Sequence, residues 1–278
     1  MSPVKEPYFF IYYGDELDES RYNRLHVPRF KKLRAHSITN LDDYLTLFDG
    51  VKNEKAIGEA SAIYLFTPRA AASIHRSIPH AKLIAILRNP NDRTYSHFLM
   101  ESDGQDASTE NFLEALKLDT IHAANRPWEL PWYIRYGFYD IQLQYYLKFF
   151  AATQLRVFLY EDLQRPIPML QDIFRFLEVD DTFLPEVSRR YNVRKALRLN
   201  PIWRAAIKVT PVALRTKLNH VLPAPVFRWY MSRRHGATQK IEATQCPPEA
   251  REMLRPIFRD HILRLQDMIQ RDLTHWLT

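Results

Sequence analysis

Two short apolar runs, KLIAIL at residues 82–87 and LRVFLY at 155–160, constrain the fold more than any other part of the sequence. Each is rich in branched aliphatic or aromatic side chains. The first is bracketed by turn chemistry, Ile78-Pro79-His80 before it and Asn89-Pro90 after it, and both read as buried strands. Helical patterns surround them at 68–78, 90–100, 111–117, 139–150 and 168–177. The second of these has a start signal, with Asn89 placed to cap and Pro90 at the first helical position. Strands alternating with helices predict a parallel sheet covered on both faces, with both runs as interior strands. Residues 8–12 and 55–61 are weaker strand candidates, and 15–50 reads as loop with one short helix near 41–48. A last helical pattern, 248–273, carries a stripe including Leu254, Phe258, Ile262 and Leu265 that should pack back on the sheet, with a kink expected at Pro256. Residues 1–278 are thus expected to form a single α/β domain.

The 6 glycines are so scattered that neither G-x-G-x-x-G nor G-x-x-x-x-G-K-[ST] can be written within the chain. The single Cys246 forbids an intrachain disulfide and a multi-cysteine zinc site, and the 10 histidines never fall into a ligand spacing such as H-E-x-x-H, so no metal is expected. The longest apolar stretches fall far short of the roughly 20 residues of a membrane-spanning helix. The first residues lack the basic start and apolar middle of a signal peptide, so a cytoplasmic location is expected. The net charge of +7 is concentrated: residues 189–240 hold thirteen of the 39 Lys/Arg and no Asp or Glu, which leaves 26 basic against 32 acidic residues elsewhere. That segment, chopped by prolines at 201, 211, 223 and 225 into short helices, should meet something anionic or lie against the acidic remainder.

The stretch AKLIAILRNPNDRTYSHFLM, residues 81–100, carries the chemistry. A buried strand ends at Arg88, Asn89 and Pro90 open a helix, and Arg93 and Ser96 follow within its first two turns. A phosphate held there would meet a guanidinium fork, a hydroxyl and the positive end of a helix. Taken alone, the spacing fits equally well with Arg88 paired to a carboxylate and Ser96 at the surface.

The surroundings add a resemblance. R-N-P-N-D-R-T-Y-S-H resembles the 3′-phosphate-binding element of sulfotransferases that use 3′-phosphoadenosine 5′-phosphosulfate. Upstream, KEPYFF (residues 5–10) resembles the K-E-P-H-F-F element of the heparan-sulfate-type and bacterial branch, and GEASAIYLFTPRAAASIH (58–75) resembles its G-E-[AK]-S-x-x-Y-L-Y-x-P block. Downstream, Tyr136-Gly137-Phe138-Tyr139, LRVFLYEDL (155–163) and RDLTHWL (271–277) resemble later blocks in the expected order. The resemblance runs from Lys5 to the C-terminus and is loosest over 190–245.

The resemblance implies a parallel sheet of the P-loop nucleotide-kinase-like type and transfer of a sulfuryl group from that nucleotide to a hydroxyl or amine of a carbohydrate, lipid or small molecule. It implies Arg88 and Ser96 on the 3′-phosphate, Arg198 approaching the nucleotide, Glu6 as base at the acceptor with Lys5 stabilising charge beside it, and Glu59 and Ser61 near the acceptor or ordering the site. Glu161 and Asp162 read as structural. The family's opening strand and its P-K-x-G-T-T-like loop, which binds the 5′-phosphosulfate, do not precede the K-E-P element here. The resemblance therefore implies that Met1 is internal to a longer reading frame or that the chain is a shortened copy with weak turnover, and it predicts an apolar slot beside the strand at 82–87. The basic segment admits three roles: closing over the nucleotide, lying on anionic lipid with Trp203, Phe227, Trp229 and Tyr230 at the interface, or a solvated surface. Nucleic acid is disfavoured because no binding module accompanies the charge. The competing reading is a non-catalytic basic protein of membrane surfaces or polyanions with a vestigial nucleotide site.

Overall fold

A computed structural model describes residues 1–13, 37–101, 109–123, 130–187, 195–199, 235–240 and 245–278. In chain order these form α1 (Phe9–Tyr12), α2 (Leu41–Thr46), α3 (Pro68–Ser77), β1 (Leu83–Leu87), α4 (Pro90–Glu101), α5 (Thr109–Ala123), α6 (Trp132–Arg135), α7 (Tyr139–Leu147), β2 (Leu155–Leu159), α8 (Pro166–Leu177), β3 (Lys195–Leu199), β4 (His235–Lys240) and α9 (Pro248–Ile269). Short 3-10 turns lie at Ala62–Tyr64, Ala152–Gln154, Tyr160–Gln164 and Thr274–Trp276.

The two apolar runs pair as a parallel ladder, Leu83 opposite Leu155 through Leu87 opposite Leu159. Leu87 and Leu159 are fully covered and Ala85, Leu155 and Val157 are half-buried on the same core, beneath α4, α5, α7 and α9. The other face behaves differently: Ile84 and Ile86 stay 39% and 49% exposed. Both strands were expected to be interior, yet among the described residues β1 and β2 pair only with each other and form a two-stranded sheet. On that second face α8 covers β2, where Arg156 lies 5.6 Å from the Phe176 ring.

Helix starts follow their sequence signals. Asn89 Oδ1 accepts from the Asn91 N–H at 3.0 Å, and Arg93 N donates to the Asn89 carbonyl at 2.9 Å, so Asn89 caps α4 with Pro90 in its first turn. Proline also opens α3, α8 and α9. α9 runs unbroken through Pro256 and ends at Gln270 in the left-handed region, φ 52°.

Two of the weaker strand expectations are overturned. Residues 9–12 form α1, and all four side chains are buried. A strand would send alternate residues to opposite faces, whereas here one tight turn drives Phe9 and Phe10 against Ala70, Ala71 and Ile74 of α3 and stacks Phe9 on Tyr44 at 4.0 Å. Residues 55–61 form no ladder; the Gly58 carbonyl accepts from Ser2 N (2.8 Å), Ala60 from Glu6 N (3.2 Å) and Ser61 from Tyr64 N (3.0 Å). β3 and β4 form an antiparallel pair that the basic segment did not predict. The short helices expected over 200–234 lie outside the described residues.

α9 is fixed to α7 by charge. Asp140, buried on α7, accepts from His261 Nδ1 at 2.7 Å and Arg264 Nε at 2.8 Å. Burial alone would raise this carboxyl, but its two partners outweigh burial and hold it below the usual carboxylate range. Gly137, just before α7, lets α9 and α4 close on one point. A Cβ at Gly137 would lie 2.6 Å from Phe258 Cε1 and 3.0 Å from Pro90 Cβ. Phe258 is completely buried and cannot swing away. Gly137→Ala is therefore expected to destabilise the protein by about 1–3 kcal/mol through overpacking, a fall of several degrees in Tm by calorimetry; an unchanged Tm would mean that the contact is not tight.

Candidate active site

Parallel pairing delivers both strand exits to one edge of the sheet, where crevices form in open α/β proteins. Arg88 follows β1 and Tyr160 follows β2, and the Arg88 guanidinium lies 5.1 Å from the Tyr160 ring centre. The Arg88 carbonyl accepts from the Tyr139 hydroxyl at 3.0 Å, so α7 holds the strand end. Ser96 stands half-buried two turns into α4. Asp92, in the first turn of α4, would oppose an anion there, but it is occupied by Arg251 Nη2 and the Cys246 N–H, both at 2.8 Å.

The C-terminal block locks this edge. Arg271 grips Asp162 with two bonds of 2.7 and 2.9 Å, and Trp276 Nε1 donates to Glu161 at 2.8 Å. Asn91 Nδ2 reaches the Trp276 carbonyl at 3.4 Å, tying the same turn to α4. Glu161 and Asp162 thus anchor the strand exit, the structural role expected of them.

The K-E-P segment forms a second group. Glu6 and Tyr8 both adopt the left-handed region, φ 56° and 55°. Such backbone costs of order 1–3 kcal/mol per non-glycine residue and persists only when the surroundings enforce it. Here Glu6 N bonds the Ala60 carbonyl, Tyr8 N bonds Ser61 Oγ at 3.3 Å, and Ile38 N bonds the Pro7 carbonyl at 3.0 Å. The Tyr8 hydroxyl donates to Glu6 Oε2. Lys5 is exposed beside them.

Glu59, half-buried, is the keystone of that turn. Its carboxylate accepts from Ser61 Oγ at 2.9 Å and from the Tyr64 hydroxyl at 2.7 Å, with Tyr44 as a third hydroxyl partner. Burial raises its pKa, and the hydroxyl donors only partly offset this. The Tyr64 and Tyr44 phenols are pushed up in turn, first by burial and then by the nearby carboxylate. Phe10 N donates to the Tyr64 hydroxyl at 3.2 Å, so this cluster also holds α1.

The Phe66 ring meets Tyr136 edge-on at 4.0 Å with Arg135 5.6 Å away. Arg93 lies 5.4 Å from the other side of that chain, the Tyr136 ring. The structure therefore brings Glu6, Glu59 and Ser61 together around the K-E-P turn, with Lys5 exposed beside them, while Arg88 follows β1 and Ser96 stands on α4. Arg198 lies on β3, and its side chain is outside the described residues, as is most of the basic segment. Sequence reasoning missed the Tyr8 hydroxyl on Glu6 and the Tyr139 hydroxyl behind Arg88, because aromatic runs signal core before they signal hydrogen bonding.

A family model described as the sulfotransferase domain matches residues 19–197, more than half of the chain. The chain belongs to the sulfotransferase family. It is 26% identical over 140 residues to the bifunctional heparan sulfate N-deacetylase/N-sulfotransferase of Drosophila melanogaster, covering 49% of this chain and 13% of that protein. It is 28% identical over 151 residues to the corresponding enzyme 4 of Mus musculus, 51% of this chain and 16% of that protein, and 27% identical over 79 residues to the membrane-associated sulfotransferase kil1 of Dictyostelium discoideum, 28% and 17%. The matches thus span under a fifth of these curated relatives. Among solved structures, a sulfotransferase from Alicyclobacillus acidocaldarius superposes with a TM-score of 0.63 at 26% identity, over 100% of this chain and 87% of that one. Among the described residues no helix is long and apolar enough to cross a membrane.

The raised Glu59 carboxyl gives a signed pH prediction. An acid whose folded pKa lies above its unfolded value of about 4.5 binds more protons in the native state, so wild-type stability should fall as pH rises from about 4.5 through the folded pKa. Glu59→Gln removes that titration. Denaturant unfolding should show the variant gaining on wild type across this window and the difference closing below pH 4.5; parallel curves would refute the assignment.

Proposed function

We propose that the chain transfers a sulfuryl group from 3′-phosphoadenosine 5′-phosphosulfate to a hydroxyl or amine acceptor. The observation that supports it most is the edge built at the end of β1: Arg88, the Asn89-capped start of α4, and Ser96 together fit a 3′-phosphate. In the reaction the acceptor oxygen or nitrogen bonds to sulfur while the sulfur–oxygen bond to the 5′-phosphate breaks, leaving adenosine 3′,5′-bisphosphate. Glu6 takes the acceptor's proton, with its carboxylate oriented by the Tyr8 hydroxyl, and Lys5 stabilises negative charge beside it. Of the two roles expected for Glu59 and Ser61, ordering the Glu6 turn is the one their bonds support, since both Glu59 oxygens already accept from Ser61 and Tyr64. Arg198, on β3, is assigned to the nucleotide. The acceptor is a carbohydrate, lipid or small molecule. The chain works in the cytoplasm, and its basic segment is free to rest on anionic lipid. Cations on the departing 5′-phosphate are also needed, and removing such donors typically costs on the order of 10²–10³ in rate per group.

Adenosine 3′,5′-bisphosphate at a hundredfold excess over its Kd should stabilise the protein by about 2.7 kcal/mol, roughly 5–10 °C in Tm. Arg88→Ala should abolish most of that protection. Equal protection of variant and wild type would remove Arg88 from the site, and no protection of the wild type would favour a non-catalytic polyanion-binding protein.

A further inference from the structure

The end of the sheet where β1 and β2 begin, opposite the Arg88 edge, carries a surface of its own, built where α3 and α7 end. Gln154 Nε2 donates to the Pro79 and Ala81 carbonyls at 2.9 and 3.2 Å, which ties the turn before β2 to the turn before β1. His75, in the last turn of α3, packs against the Phe149 and Phe150 rings just beyond α7, with ring centres 5.8 and 5.3 Å apart. The ends of the two helices and the turns that follow them thus form one continuous surface.

Two properties coincide there. Residues 68–82 and 141–159 hold five Lys/Arg and no Asp or Glu, and of these cations Arg76 and Lys148 are exposed at this end, with the exposed His80 beside them. Glu178, an acid that reaches the start of β1, is taken by Lys82 at 2.7 Å. Ile78, Phe149 and Leu147 meanwhile stand 44%, 40% and 38% exposed, although Ile74, Tyr146 and Phe150 next to them are buried. Lys148 Nζ lies 5.0 Å from the Tyr145 ring centre, so its stem runs along an aromatic face while the ammonium stays outside. Cations in a last helical turn also suit the negative end of the helix, but that role calls for no apolar side chains in water. Single exposed apolar residues are ordinary; three of them set among cations supply both components of an anionic lipid interface.

We propose that this surface docks on an anionic lipid bilayer, with Ile78, Leu147 and Phe149 entering the headgroup boundary and Arg76 and Lys148 meeting the lipid phosphates. A soluble polyanion would engage the cations and leave the apolar side chains in water, so lipid is the occupant that accounts for both. The surface is distinct from the basic segment of residues 189–240, and the proposal does not depend on the sulfuryl-transfer reading. β1 separates it from Arg88 by about 16 Å, so docking here does not occlude the Arg88 edge.

The test is co-sedimentation of the full chain with vesicles of phosphatidylcholine alone and of phosphatidylcholine with about a quarter phosphatidylserine. It compares wild type, Arg76→Gln/Lys148→Gln and Ile78→Ser/Leu147→Gln, with dextran sulfate binding as the polyanion control. Wild type should pellet with the anionic vesicles and stay in solution with the neutral ones. The charge variant should partition about 30-fold more weakly, the equivalent of about 1 kcal/mol per cation. The apolar variant should lose about 10-fold on vesicles and nothing on dextran sulfate. Loss in the charge variant with none in the apolar variant would mark a polyanion surface and overturn the proposal. Wild-type partitioning in both variants would place lipid binding elsewhere, the basic segment included, and overturns it too. So does a wild type that ignores anionic vesicles or binds neutral ones equally. Should the apolar pair not fold, Leu147→Gln decides: it changes one exposed side chain at the end of α7 and should weaken partitioning about threefold. Unchanged partitioning in that variant overturns the proposal.

Discussion

The edge at which Arg88 and the Tyr160–Gln164 turn meet depends on the parallel pairing of β1 with β2. A parallel register brings both strand exits to the same edge, so Arg88 and the Tyr160–Gln164 turn arrive together although some seventy residues apart in sequence. An antiparallel pairing would put them at opposite ends of the sheet. The ladder of backbone bonds is short, and it holds because Leu87 and Leu159 close the same core as Phe258, Leu254 and Trp276.

Around that edge the C-terminal region consumes negative charge. Asp92 goes to Arg251, Asp140 to Arg264 and His261, Asp162 to Arg271, and Glu161 to Trp276 and His275. These contacts fasten α9 and the terminal turn to α4, α7 and β2. Of these acids, Asp92 belongs to R-N-P-N-D-R itself, and it is paired with Arg251. Through Arg271, His275 and Trp276 the terminal turn thereby fixes the exit of β2.

The sequence made part of this legible and hid the rest for identifiable reasons. The strands at 83–87 and 155–159 and the Asn89-Pro90 start of α4 were readable because each is a local signal: a short apolar run, a cap, a proline in the first turn. Residues 9–12 misled because a run of four apolar side chains has no period, and only packing against Ala70 and Ala71 decides between turn and strand. The expectation that both strands would be covered on two faces failed at Ile84 and Ile86, because burial on the second face depends on which element lies above it. Bonds such as Tyr8 N to Ser61, 53 residues apart, and Arg271 to Asp162, 109 apart, leave no local trace. Arg93 was read as part of the motif, but its bond to the Tyr133 carbonyl, 40 residues away, is a property of the packed helices alone.

The most direct test of the central claim is a crystal structure of the chain with adenosine 3′,5′-bisphosphate. The 3′-phosphate oxygens should lie within about 3.2 Å of the Arg88 guanidinium and of Ser96 Oγ, at the start of α4. A nucleotide bound with its 3′-phosphate elsewhere, out of reach of Arg88 and Ser96, would contradict it.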